Sequence, residues 1–478
     1  MRPFLVRNRS KFRYLISVPV CIILILNIQL ITQIKEINKF YSPNNQDNNA
    51  FVSSTNFIKN TTEIPQKVNI TINKNVNHEI DALRQKINAL NSYPKINNKH
   101  LIDDLLKNKP NIKSSTLSNT STISLPVATK VYTMPKFFVI VIQVHSRLNY
   151  LRELIKSLKE VKYIEQALVI FSHDIYDEEM NQLVKSIDFC ATLQIFYPFS
   201  LQLYPNTFPG NDPNDCPKSI NKAKALEIKC NNAAYSDKYG NYRESHVVQI
   251  KHHWFWKLSF IFEKLNETRL LENLHVLILE EDYYLLPDSI HALRKLSEII
   301  LSDIDVVSLA IFERNKQNLE MKNLNKFGKA YWHTTSHNTG LMLSRTQWKM
   351  IKDCSNAFCT YDDYNWDWTL QHLSQTCFKL PLVAIFPVSS RVIHIGECGT
   401  HHKGSNCDPK EKIESLKKTI QNKQTQFFPK KFELNGVNTG IIAIKKSNGG
   451  WGDPRDHNLC KSFIDQYIKS NNTKAIKI

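Results

Sequence analysis

The stretch Phe137-Phe138-Val139-Ile140-Val141-Ile142-Gln143-Val144 decides the fold. An apolar, β-branched run with no alternation fits a strand covered on both faces, as in a parallel sheet wrapped by helices. Downstream, Leu148, Leu151, Leu154, Ile155 and Leu158 recur at helical spacing. A strand over Ala167–Phe171, a helix near Asp177–Ile187 and a strand near Leu193–Tyr197 follow. This β-α-β-α order predicts an α/β fold with a mostly parallel central sheet. A long loop holding Cys216 and Cys230 leads to a helix over Ser245–Leu265. Further strands are expected at His275–Leu279, Asp305–Ile311, Thr339–Ser344 and Leu382–Phe386.

Open sheets of this kind bind ligands at the carboxyl ends of their strands. Three polar clusters fall there: Gln143-Val144-His145-Ser146-Arg147, Ser172-His173-Asp174 and Glu280-Glu281-Asp282. No phosphate-binding glycine loop of the GxGxxG or Walker type occurs, which removes the P-loop and dinucleotide redox readings. Three adjacent acids at the end of a buried strand repel one another unless a cation or ordered donors compensate. A hard divalent ion that bridges to a diphosphate needs few protein carboxylates. His394, after Val392-Ile393, is a second metal candidate; imidazole suits a manganese-like ion better than magnesium. His401 and His402 are its neighbours and rivals.

The segment Tyr361-Asp362-Asp363-Tyr364-Asn365-Trp366-Asp367-Trp368 interleaves three aspartates with four aromatics. Aromatic faces suit sugar rings, and a carboxylate can take a proton from an attacking hydroxyl. Asp362 and Asp363 can be read as helix-start acids; Asp367 between two tryptophans is harder to read that way. Gln249-Ile250-Lys251-His252-His253-Trp254 is basic and aromatic, suited to a diphosphate or a base, with Trp254 and Phe255 open to a core role.

Outside this body the chain changes character. Of its 478 residues, 1–134 hold 18 Lys/Arg and 7 Asp/Glu, a net +11 of the total +18, which leaves +7 for the rest. A basic leading segment with no interleaved Arg–aromatic stripe excludes nucleic acid as the partner. Residues 1–14 read as a cytoplasmic tail and 15–31 as a transmembrane signal-anchor, preceded by Arg2, Arg7, Arg9, Lys11 and Arg13. The remainder then faces a lumen. Residues 32–134, rich in Asn, Lys, Ser and Thr, read as a largely disordered stem with one short helix around Ile80, Leu83, Ile87 and Leu90. Residues 135–478 read as the catalytic domain. Nine of the ten cysteines lie in the body, and the Asn-x-Ser/Thr triplets at Asn60, Asn69, Asn119, Asn266 and Asn471 fit a lumenal face.

Together, Ile142–His145, Val169–Asp174, Lys251–Trp254, Leu279–Tyr283, Cys359–Trp368 and Gly449–Asp453 resemble the N-acetylglucosaminyltransferase II family over about residues 136–465. The resemblance implies a GT-A-type nucleotide-sugar-binding fold. It implies inverting transfer of N-acetylglucosamine from UDP-N-acetylglucosamine to the 2-hydroxyl of the α-1,6-linked mannose of N-glycans, at the Golgi membrane. By position, Gln143, Val144, His145, Ser146, Arg147, Asp174, Gln249, Ile250, Lys251, His252 and His253 would hold the donor. Asp282 and His394 would bind Mn2+, and Asp367 would be the base. Ser146 stands where the family has Asn. Arg314 is the candidate for the family's donor-contacting Arg, and a Cys-x-x-Cys found in the family before Asp305 is missing. The family's cysteines, with parity and the lumenal placement, pair Cys216–Cys230, Cys354–Cys377, Cys359–Cys460 and Cys398–Cys407, leaving Cys190 free. The competing readings are a sibling transferase with another mannose acceptor and an inactive membrane lectin. The oligomeric state stays open, a homodimer included.

Overall fold

The computed structural model describes residues 66–107, 137–300, 305–313, 316–317, 321–396, 408–438, 440 and 446–475. The tail and anchor, Arg314, and Cys398 with Cys407 lie outside the described residues. No helix among the described residues is long and apolar enough to cross a membrane. The contacts divide the chain into residues 1–69 and 70–478, and the following concerns the second unit.

Thirteen strands occur among the described residues: β1 Phe138–Val144, β2 Ala167–His173, β3 Ala191–Phe196, β4 His275–Glu280, β5 Tyr283–Leu285, β6 Asp305–Ser308, β7 Phe312–Glu313, β8 Lys316–Gln317, β9 Lys326–Tyr331, β10 Leu341–Ser344, β11 Val383–Pro387, β12 Val392–His394 and β13 Glu433–Asn438. Nine form one sheet in the order β13-β9-β11-β6-β10-β4-β1-β2-β3. The half β4-β1-β2-β3 is parallel throughout. The expectation of a mostly parallel sheet holds, with two departures. At its centre β10 runs antiparallel between β4 and β6, and near the β13 edge β9 pairs antiparallel with β11.

Alternate residues of each parallel strand go to opposite layers, as strand geometry requires. Val139, Val141, Leu168, Ile170, Val276 and Ile278 face a core with Trp254, Phe255 and Leu258. Phe138, Ile140, Ile142, Val169, Leu277 and Leu279 face another with Leu151, Leu154, Met180 and Val184. Both faces of β1 are therefore dry, which is why its sequence shows no alternation. Helices Leu148–Glu160 and Glu178–Lys185 cover the second face, and helix Ser245–Ser259, extended by a π turn at Phe260–Lys264, covers the first.

The segment read as disordered stem needs correction where it is described. A helix spans Gln66–Ser92, and its residues from Leu83 on, with those after it, pack on the β3 edge. Ile87 is 2% exposed and clusters with Phe196 and Leu203. The Arg84 guanidinium donates to the Leu203 carbonyl, and the Asn91 amide donates to the Phe196 carbonyl at 2.6 Å while its oxygen accepts the Phe196 N–H at 3.0 Å. Asn97 forms a β-bridge with Thr192. Leu83 and Ile87 of the apolar stripe that marked a local helix are thus its docking contacts, whereas Leu90 is exposed, and the domain reaches back well before residue 135.

Three of the four expected disulfides are formed: Cys216–Cys230, Cys354–Cys377 and Cys359–Cys460. Cys190 is buried and free, as expected.

Candidate active site

The site is assembled at the carboxyl ends of β1, β2 and β4. Parallel register places Gln143 beside both Ser172 and Glu280. Backbone continues the alignment: Glu281 N–H donates to the Gln143 carbonyl and Asp174 N–H to the Val144 carbonyl. The three clusters expected to converge do so.

Each acid of the β4 terminus has a different job. Glu281 is 1% exposed; its two oxygens accept the His145 backbone N–H at 2.8 Å and Arg147 Nε at 2.7 Å. It pins the turn after β1. Asp282 is 3% exposed, with Oδ2 accepting Arg147 Nη1 at 2.8 Å and lying 3.1 Å from His394 Nε2. Its other oxygen, Oδ1, is buried without a hydrogen-bond partner. Burial raises the Asp282 pKa, but the hydrogen bond and charge of His394 and the charge of Arg147 outweigh it and hold the group below its ordinary value. Burial depresses His394, and the Asp282 bond and charge reverse that to a net rise. Glu280 is pushed up to about 6, by burial first and the Asp282 charge second.

His394 reaches Asp282 through backbone pairing. β12 runs antiparallel to β5 with His394 opposite Tyr283, and Ile395 N–H donates to the Asp282 carbonyl at 2.9 Å. A Cβ at Gly396 would collide with Asp282 Oδ2 and come within 3.1 Å of His394 Nε2, so only glycine lets the strand approach this closely.

Asp174, 5% exposed, is the hub of the second cluster. Its Oδ1 lies 2.7 Å from His145 Nδ1, and its Oδ2 accepts Gln249 Nε2 at 3.0 Å with His253 Nδ1 at 3.7 Å. Burial would raise its pKa; the His145 charge and hydrogen bond pull it well below the carboxylate range. His145 itself is pushed up to about 9, chiefly by the Asp174 charge. Ser172 Oγ lies 2.8 Å from His253 Nε2, and Lys257 Nζ donates to Gln143 Oε1 at 2.5 Å. Gln249, His253 and Lys257 follow one another at i, i+4, i+8, a single stripe of the Ser245–Ser259 helix aimed at the strand ends.

The neighbouring basic residues have other partners. Lys251, fully buried, donates to the carbonyls of Asp363 at 2.8 Å and Tyr361 at 3.2 Å and sits 4.2 Å from the Trp451 ring centroid. Burial brings its pKa down to about 7 against the pull of Asp363, Asp362 and Asp456. His252 Nε2 lies 3.0 Å from Asp456 Oδ1. Ile250 is half-buried against the core.

Asp367 opens helix Trp366–Thr376. Its Oδ2 accepts the Thr334 hydroxyl and Asn338 Nδ2 (3.1 Å), and its Oδ1 accepts the Trp368 N–H at 2.9 Å. Asp362 and Asp363 are not helix-start acids. Asp362 accepts the N–H groups of Lys238 and Trp451, and Asp363 those of Asn365 and Asn448. Both bind loops that brace the segment. Trp366 is core, stacked on Trp254 with centroids 4.6 Å apart; Trp368 is half-buried beside His333. Tyr283 links the acid groups: its pKa is driven well above 10 by burial first, then by Glu280, Asp282 and Asp367. Asp367 is thus within electrostatic reach of Tyr283, as Glu280 and Asp282 are.

Sequence reasoning did not reach Thr334, Asn338 or Gly396. Thr334 and Asn338 lie in a short polar stretch before β10 that carries no motif, and only tertiary contact assigns them to Asp367.

The Asp282–His394 pair fits a divalent cation. Two donors of suitable type sit together, and Oδ1 of a buried carboxylate lacks a partner that a cation would supply. Among the described residues no group of three or more His, Cys, Asp or Glu side chains is placed to hold a metal alone. The remaining ligands would have to come from substrate oxygens or water.

Residues 113–460 match the family N-acetylglucosaminyltransferase II. A Homo sapiens protein named alpha-1,6-mannosyl-glycoprotein 2-beta-N-acetylglucosaminyltransferase is 43% identical over 334 residues, 69% of this chain and 74% of its own length. A Sus scrofa protein of that name is 41% identical over 333 residues, with the same coverage. One from Arabidopsis thaliana is 34% identical over 347 residues, 70% of this chain and 77% of its own.

Proposed function

The chain belongs to the N-acetylglucosaminyltransferase II family, and from that premise we propose how its rim of acids works. It is a glycosyltransferase that moves N-acetylglucosamine onto the α-1,6-linked mannose of glycoprotein N-glycans in β-1,2 linkage. A nucleotide sugar is the donor and a glycan the acceptor. The finer reading takes the fold as GT-A-type, the donor as UDP-N-acetylglucosamine, the ion as manganese and the transfer as inverting. It has residues 15–31 anchor the protein in the Golgi membrane with the domain lumenal. Whether it works as a monomer or a homodimer is a separate measurement by light scattering.

The observation that carries the reading is the unpartnered Oδ1 of Asp282 beside His394. Asp282 and His394 would hold the ion, which supplies charge neutralisation to the departing diphosphate. The residues of the chain do the rest. The turn Gln143–Arg147, pinned by Glu281, and Asp174, with Gln249 and His253 behind it, form the donor side. Arg314, expected on this side, lies outside the described residues. Lys251, expected against the donor, instead donates to the Tyr361 and Asp363 carbonyls of the segment that leads to Asp367, and His252 is held by Asp456 of the C-terminal helix.

Asp367 is the base. Its carboxylate accepts the proton of the mannose 2-hydroxyl as that oxygen attacks the anomeric carbon; the new C–O bond forms on the face opposite the breaking bond to phosphate, and UDP leaves. The hydrogen bonds from Thr334, Asn338 and the Trp368 amide fix the carboxylate, so orientation costs little when the acceptor binds. Defined hybrid and high-mannose glycans incubated with UDP-N-acetylglucosamine test the assignment. The expected product carries β-1,2-N-acetylglucosamine on the α-1,6 arm. Product on the α-1,3 arm would make this a sibling transferase, and binding without turnover would make it a lectin.

A further inference from the structure

We propose that Asn266 is an N-glycosylation site, an inference that rests on the lumenal placement of the domain. Asn266-Glu267-Thr268 is an acceptor triplet. Such triplets arise by chance in an Asn-rich chain, so the triplet alone decides nothing. Its presentation does. Asn266 is exposed on the turn that joins the π turn Phe260–Lys264 to β4, and the hydrogen bond given for its side chain is to Oδ1, which accepts Arg269 Nε at 3.2 Å. Asn60 and Asn119 lie outside the described residues, and the side chains of Asn69 and Asn471 are not described either.

The turn is held rigidly. Thr268 is fully buried, its hydroxyl donating to the Ile261 carbonyl at 2.5 Å. Arg345 clamps the same turn from beneath, donating to the carbonyls of Phe262, Thr268 and Leu271 at 3.0, 2.8 and 2.7 Å. Four residues on from Asn266, Leu270 is 66% exposed, the second most exposed of the large apolar side chains among the described residues. A hydrophilic oligosaccharide rooted next to it would shield a bare leucine from other apolar surfaces. The position also leaves the active site open. The turn precedes the start of β4 at His275, whereas Glu280–Asp282 lie at its far end, ~20 Å away along a six-residue strand.

The modification joins Asn266 Nδ2 to the anomeric carbon of an oligosaccharide carried on a lipid diphosphate in the secretory lumen. The C–N bond forms, the C–O bond to phosphate breaks, the amide gives up one proton and the lipid diphosphate departs. The test expresses the full chain in a eukaryotic secretory host and maps glycopeptides, alongside protease protection in sealed microsomes. The wild type should lose mass on peptide-N-glycosidase treatment, with Asn266 converted to Asp. Asn266→Gln should lack that one glycan and keep wild-type turnover, while Thr268→Ser, which keeps both the triplet and the buried hydroxyl, should retain it. A protease-protected domain with Asn266 recovered unmodified overturns the proposal alone. A domain digested in sealed microsomes overturns the lumenal placement, and the proposal falls with it.

Discussion

Glu281→Gln tests the donor side most directly. The wild-type carboxylate is shut away from solvent and spends both oxygens on the turn after β1, one on the His145 N–H and one on Arg147 Nε. A glutamine of the same shape keeps one acceptor. Its amide nitrogen turns a donor toward whichever N–H it faces, and the charge assistance is lost. A hydrogen bond to a charged group contributes about 1.5–3 kcal/mol. Losing one, at about 2 kcal/mol, frees the turn by a factor of roughly 30. Because a loosened turn must be reordered on binding, the donor affinity should fall, by up to roughly that factor. Turnover at saturating donor should change far less, since Glu281 touches neither the base nor the acceptor side. Calorimetry with UDP-N-acetylglucosamine and Mn2+, beside initial rates at saturating donor, separates the two. Affinity within twofold of wild type, with only thermal stability lowered, would refute a role in donor binding. A large loss of turnover at unchanged affinity would make Glu281 part of the reacting site.

Asp282→Asn should weaken Mn2+ and UDP binding together, because the pair with His394 would bridge protein to diphosphate; full activity in excess chelator rejects the metal assignment. Asp367→Asn should lower turnover by about 10²–10⁴-fold, the usual range for a removed general base, while UDP affinity measured by calorimetry stays near wild type. Lys251→Met, which keeps bulk but leaves the Tyr361 and Asp363 carbonyls unpaired, should lower both melting temperature and turnover at unchanged UDP affinity, with partial rescue by Lys251→Arg; a selective loss of UDP affinity would instead place Lys251 against the donor.

The parallel half of the sheet was legible in the sequence because strands dry on both faces are written as unbroken apolar runs, and the acids then stand out where each run stops. The other half was not. β9 reads Lys326-Phe-Gly-Lys-Ala-Tyr331 and β13 is exposed along its whole length, so neither has the run or the clean alternation that marks a strand. β10 was legible as a strand but not in its direction, which depends on pairing with β4 and β6. The metal candidates were named separately, Asp282 from its cluster and His394 from its chemistry. That they touch follows from the β5–β12 register, across 112 residues of sequence. The aspartates at 362 and 363 were misread because acids before a helix usually serve its first turn; here the helix begins only at Trp366, and they close loops from distant parts of the chain. Trp366 was misread for a similar reason: an aromatic beside a catalytic acid suggests substrate, but a flat stack on Trp254 makes it core.

The same stack points to how the two halves of the site keep their distance. Direct displacement requires the base and the donor carbon to be placed to within a fraction of an ångström to about one ångström. Here one helix, Ser245–Ser259, holds both. Gln249, His253 and Lys257 reach Asp174, Ser172 and Gln143 on the donor side. Lys251 and Trp254 hold the segment that delivers Asp367. At ~100° per residue these sets point to different faces of the helix, so on the proposed assignment a single rod would couple the donor turn to the base. That explains a composition otherwise hard to justify, in which a mostly buried helix carries two buried lysines, two buried histidines and a buried glutamine. Buried polar groups of this kind persist only when each finds partners. Here every one of them has at least one, and the partners belong to the donor side or to the segments that brace the base.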